Sequence, residues 1–184
     1  MIKYVAFLLG INVGGKNLIR MDALRGICKS VGCKNVRTFI QSGNVIFESA
    51  KPDAAALTKK IEKGLLQAVG YEVRVTVRTV AELEEMLKPN PFRKVKPGDD
   101  AVPFIAFLLS APVKLPKLPL HSATENLDVL TIKNGAAFIL CRRKKNGTFS
   151  FPNNFLEKQF GVGATTRSVT TVGKIIALAT SAGK

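Results

Sequence analysis

The chain has 184 residues, 46% hydrophobic and 22% charged, which suits one domain or two small halves and excludes a disordered protein. Lys and Arg number 28 against 13 Asp and Glu, a formal charge of +15 whose field draws polyanions; the alternative is a general preference for basic residues with no ligand behind it. Three cysteines without a C-x-x-C pair and one histidine, His121, exclude a zinc site, and no apolar run approaches the ~20 residues of a membrane span. The VAFLL run near the N-terminus lacks a signal-peptide cleavage site. These features describe a reduced, cytoplasmic protein, monomer or homodimer, with no metal, no cofactor and no membrane partner expected.

Residues 3–9 read as a strand apolar on both faces, so helices are expected over one face and the other half, or a second subunit, over the opposite one. The stretch GINVGGKN follows, from Gly10 to Asn17. It fits the Walker frame up to Lys16, but Asn17 stands where Ser or Thr would ligate magnesium, and no helix begins at the lysine. A nucleotide-hydrolysing loop is thereby set aside. Two readings stay open, an anion cradle made by backbone N–H groups beside Lys16, or a plain glycine turn.

Further along, a helix is expected over 21–31, a strand over 35–41, a turn at Ser42-Gly43 and a strand over 44–48. Asp53 suits an N-cap for a helix ending at Gly70, and 72–79 alternates as a strand. The order is β-α-β-β-α-β, a ferredoxin-like unit. In that topology the first two strands run parallel, so the loop of Asn12, Gly14, Gly15 and Lys16 and the turn of Gln41, Ser42 and Asn44 meet at one sheet end. A ligand or anion site is one reading of that meeting; a tight hairpin held to a long loop is the other.

Residues 81–88 read as a short helix, followed by a turn-rich joint up to residue 100. The run VPFIAFLLS (102–110) then echoes YVAFLLG (4–10), and strands over 127–133 and 136–142 flank an Asn134-Gly135 turn. Prolines make 111–125 an extended crossover where the first helix of a second unit would stand. Helices are expected over 153–160 and 171–180. The fold class is therefore α+β, two ferredoxin-like halves in tandem with the second degenerate: 1–80, a helix and linker over 81–100, and 101–184.

KYVAFLLGINVGGKNLIRMDALR, NVRTFIQSGNVIFES, Asn90-Pro91-Phe92 and FLEKQFGVGATTR together resemble the bacterial domain-of-unknown-function family 1697. The resemblance implies paired ferredoxin-like units and no reaction. Three departures stand out. Leu9 replaces the arginine of a Leu-Arg-Gly-Ile-Asn pattern, Ser168-Val169-Thr170-Thr171 replaces Asn-Trp-Asn-Thr, and Phe149-Ser150-Phe151-Pro152 replaces a basic stretch.

Candidate contacts for a polyanion, nucleic acid above all, are the run Arg142, Arg143, Lys144 and Lys145, with Phe149, Phe151 and Phe155 downstream, together with Lys16 and Arg167. Thr165-Thr166-Arg167 precedes the last helix, with Thr170 or Thr171 as cap and an anion at the helix start as the alternative. The small-ligand alternative uses Asn12, Gly14, Gly15, Lys16, Gln41, Ser42 and Asn44. No Ser-His-Asp or Cys-His arrangement has support, Asp99 and Asp100 are adjacent and cannot face each other across a site, and catalytic residues are unassigned.

Overall fold

The structure is a computed structural model that describes residues 1–88, 91–93, 100–144, 147–150 and 152–181. Asn90, Asp99, Lys145 and Phe151 lie outside the described residues. Among the described residues the fold is mixed α+β, with two antiparallel sheets and five helices. The chain divides into two units, Met1–Glu84 with Lys174–Lys184, and Glu85–Gly173.

The first unit contains β1 (Ile2–Leu8), α1 (Met21–Ser30), β2 (Lys34–Phe39), β3 (Asn44–Ser49), α2 (Ala54–Val69) and β4 (Val75–Thr79). Its sheet runs β2-β3-β1-β4, so β1 is central and β2 an edge. Tyr4, Ala6 and Leu8 join Val45, Phe47, Val75 and Val77 in the core under the helices, where the Tyr4 and Phe47 rings stack at 5.6 Å. Val5, Phe7 and Ile46 are buried on the opposite face, so both faces of β1 are withdrawn from water, as its two-sided apolar pattern demands.

Helix α1 buries Leu24 and Cys28 at i, i+4; α2 buries Leu57, Ile61, Gly64 and Leu65 at i, i+4, i+7, i+8, the spacing of one helix face. Full burial of a side chain the size of Ile61 contributes about 2 kcal/mol in transfer free energy, so a few such residues fix α2 on the sheet. Asp53 accepts the Ala56 N–H at 2.9 Å and starts α2; Gly70, at φ 78°, stops it. β4 begins at Val75 rather than 72, because Glu62 of α2 reaches over to accept the Val75 N–H at 2.9 Å and pins the strand's start.

Between the sheets' sequences lies α3 (Val80–Leu87), opened by Thr79 and Glu82 in a reciprocal cap. The second unit holds β5 (Ala101–Leu108), β6 (Leu120–Ser122), β7 (Leu127–Lys133), β8 (Ala136–Arg142), α4 (Pro152–Phe160) and β9 (Ala164–Ser168), with the sheet order β6-β7-β8-β5-β9; α5 (Val169–Thr180) follows. β5 stands between β8 and β9 as β1 stands between β3 and β4, and Ile105 and Phe107 are buried opposite the core face of Ala106 and Leu108. Residues 111–125 form no helix, matching the crossover expected of their prolines, and supply the short edge strand β6. Among the described residues no helix is long and apolar enough to cross a membrane.

Candidate functional site

The hairpin turn after β2 and the loop after β1 emerge at the same sheet end and are tied together by Asn12. Its side-chain nitrogen donates to Gln41 O at 2.7 Å and to Ile19 O at 3.1 Å, and its oxygen accepts the Ile19 N–H at 2.8 Å. Asn17 donates to Gly10 O at 3.2 Å, and the Lys16 N–H closes a turn on Val13 O at 3.0 Å. Asn44, buried, donates to Phe39 O at 3.1 Å and to Ser42 Oγ at 3.0 Å. Ile11, 2% exposed, fills the ground between loop and turn, and a Cβ on Gly43 would come within 2.8 Å of its Cδ1. Gly14, Gly15 and Lys16 remain exposed on the outer turn. The amide groups of this cluster are committed to holding the loop in place.

Arg167 stands on β9, a strand the sequence reading did not assign, because residues 164–168 pair along β5 with Ile105 opposite Arg167. Its Nη1 donates to Thr165 Oγ1 and Thr166 O, both at 2.9 Å, and burial pushes the guanidinium down to about 10. The cap of α5 is Ser168, whose Oγ accepts the Thr171 N–H at 3.2 Å, in place of Thr170 or Thr171. The helix starts at Val169, two residues before the expected 171, directly after the five-residue strand, and the serine that departs from the family pattern takes the capping role.

The basic run is met by carboxylates. Arg142 donates to Asp128 Oδ2 at 2.6 Å, and His121 Nδ1 lies 2.5 Å from Asp128 Oδ1. Burial raises the Asp128 carboxyl, but the bonds from His121 and Arg142 outweigh it and hold the group below the usual aspartate range. Arg143 sits 3.5 Å from Asp100 and 4.8 Å from the Phe149 ring centroid, and Lys144 pairs with Glu125 at 3.2 Å. Ser150 donates to the same Glu125 oxygen at 2.7 Å. Lys145 lies outside the described residues. The cysteines are free and buried; desolvation pushes Cys28 and Cys141 up to about 12 and Cys33 to about 11, so none is a ready thiolate.

A different group of cations converges on the first unit. A concavity of about 450 Å³ opens at the β2 edge, lined by Lys3, Lys29, Asn35, Val36, Arg37, Glu48 and Ser181. Strand register builds it: Lys3 of β1 and Lys34 of β2 both stand opposite Glu48 of β3, and Arg37 stands opposite Ile46. A bulge between Lys34 and Arg37 bends the edge, and Lys29 arrives on the last turn of α1. Lys3 Nζ donates to Ala179 O at 2.8 Å, and Asn35 Nδ2 donates to Glu48 Oε2 at 2.8 Å. No ion pair joins Glu48 to a described cation, and the Arg37 side chain makes no hydrogen bond or ion pair with another described residue. A second concavity of about 370 Å³, beside the opposite sheet edge at β4, offers Lys59, Lys63 and Arg74, but Glu62 and Glu72 share it and Glu62 pairs with Arg74 at 3.3 Å. Sequence reading passed over Lys3, Lys29 and Arg37 because they are scattered along the chain; the one available signal was that residues 1–49 hold seven basic residues against Asp22 and Glu48.

Comparison with known proteins adds fold and family. The conserved bacterial protein SP0830 from Streptococcus pneumoniae superposes with a TM-score of 0.73 at 22% identity, covering 98% of this chain and 99% of that one. At that identity the likeness is one of fold. No curated protein matches the chain. The model of the family described as "Protein of unknown function (DUF1697)" matches residues 1–138, and the chain belongs to that family.

Proposed function

We propose that the protein binds a polyanion, nucleic acid foremost, through the basic side of its first unit, each half being a ferredoxin-like module with the second degenerate. The observation that carries this reading is the gathering of Lys3, Lys29 and Arg37 around one concavity where, among the described residues, the only lining carboxylate is Glu48, held by a neutral amide. Cations in surplus over the one described carboxylate release counterions on meeting phosphates. Arg142, Arg143 and Lys144, the densest run in the sequence, have carboxylates of their own and serve the second unit's integrity. The small-ligand reading at Asn12–Asn44 would need the ground that Ile11 fills.

The test is fluorescence anisotropy of a labelled single-stranded oligonucleotide across a salt series. Lys29→Glu with Arg37→Glu is expected to weaken binding at least tenfold and to lower the salt slope by roughly 1.4, about 0.7 for each phosphate no longer neutralised. Arg143→Glu with Lys144→Glu should leave the slope nearly unchanged. Binding seen only at low salt, and indifferent to the first pair, would reduce the +15 charge to nonspecific attraction.

A further inference from the structure

We infer that the concavity at the β2 edge is a site for a phosphate monoester, a terminal phosphate group rather than an internal diester; this rests on the polyanion reading and sharpens it. The charge count favours a monoester. Among the described lining residues, Lys3, Lys29 and Arg37 against Glu48 leave a surplus of two positive charges, and a monoester carries close to two negative charges at pH 7 where a diester carries one. The donor set fits as well. Arg37 offers a planar fork for two phosphate oxygens, while Lys3 and Lys29 act as point charges on flexible stems.

The site is assembled by the fold, not by one loose arm. Lys3 and Glu48 are fixed by the β1–β3 register, Arg37 by the β2–β3 register after the bulge, and Lys29 by the packed end of α1. Lys3, which lines the concavity, is further held by Ala179 O at 2.8 Å. Glu48 lies within the cup and offsets one cation by its charge, while its carboxylate is held in place by Asn35 at 2.8 Å. That arrangement keeps the acid in place without spending a lysine or arginine on it. A volume of about 450 Å³ admits the phosphate together with the sugar or small body that bears it.

Two sources present the same chemistry, the phosphorylated end of a nucleic acid and a free phosphorylated small molecule. The experiment compares 5′-phosphorylated with 5′-hydroxyl oligonucleotides of one sequence at about 150 mM salt, with inorganic phosphate titrated by calorimetry in parallel. A preference of about fivefold or more for the phosphorylated end is expected, disappearing in Arg37→Gln and in the exposed-site variant Lys29→Gln. The preference should also shrink between pH 7 and pH 5, as the monoester takes up a proton near pH 6. If neither oligonucleotide binds but inorganic phosphate does, and Arg37→Gln abolishes it, the monoester site stands with a small-molecule source while the nucleic-acid reading falls. Equal binding of both ends with no phosphate heat, or a preference that survives both variants, overturns the inference while leaving general polyanion binding intact.

Discussion

Ile40 holds a β-branched side chain on a left-handed backbone, φ 50°, at the first position after β2, and is 52% exposed. Left-handed geometry costs such a residue roughly 1–2 kcal/mol, and half-exposure returns little of it. Ile40→Asn is therefore expected to raise unfolding free energy by about 1 kcal/mol, read as a higher urea midpoint at unchanged slope. Gly43 makes the opposite case. At φ 75° it accepts the Leu8 N–H at 2.9 Å, and an added Cβ would stand 2.8 Å from Leu8 Cβ and from Ile11 Cδ1. Gly43→Ala should cost about 2–3 kcal/mol, the strain of the left-handed region plus overpacking, seen as a fall in Tm. The Ser-Gly turn itself was legible because turn chemistry is local. The role of Asn12 was not, since its three bonds reach residues seven and twenty-nine positions away.

At the scale of elements, α1 and α2 meet where Gly64 has no side chain: a Cβ there would fall 2.7 Å from Val31 Cγ1. Gly64→Ala gains about 1 kcal/mol of helix propensity and loses about 2 kcal/mol to overpacking, so a net loss near 1 kcal/mol is expected. In a double-mutant cycle with Val31→Ala the two changes should couple by on the order of 1 kcal/mol, because the smaller neighbour removes the clash. In the second unit, Asp128 on β7 bonds Arg142 on β8. With its folded carboxyl held below the ordinary aspartate value, the pair adds stability that is present above about pH 4 and lost as pH falls below it. Urea titrations at pH 7, 5, 4 and 3 should show a shallower acid decline for Asp128→Asn, from a lower starting stability. The elements whose signals are local, such as α2 between Asp53 and Gly70 and the Asn134-Gly135 hairpin, could be read along the chain. β9 and β6 could not, because five and three residues carry too little alternation and each is defined by a partner strand that the local sequence does not name.

For the molecule as a whole, the echo of residues 4–10 in 102–110 marked the two central strands, each buried on both faces between an inner strand and an edge. The candidate site was less legible for a reason of the same kind. Density of charge along a chain singles out residues 142–145, whereas convergence depends on the registers that bring Lys3, Glu48 and Arg37 side by side. The first unit has one further property with a temporal meaning. It is completed by residues 174–184, and Lys3 bonds Ala179, although residues 85–173 belong to the second unit. On the ribosome, the last residues of the first unit therefore emerge only after the whole second unit, on the order of 5–20 s later at roughly 5–20 residues per second. Over that interval the ammonium of Lys3 lacks its α5 partner, Ala179, while the second unit has all of its own chain in hand. A segment made after the second unit finishes the unit that was begun before it, so a pause or truncation near residue 173 would strand a folded second unit beside an unfinished first one.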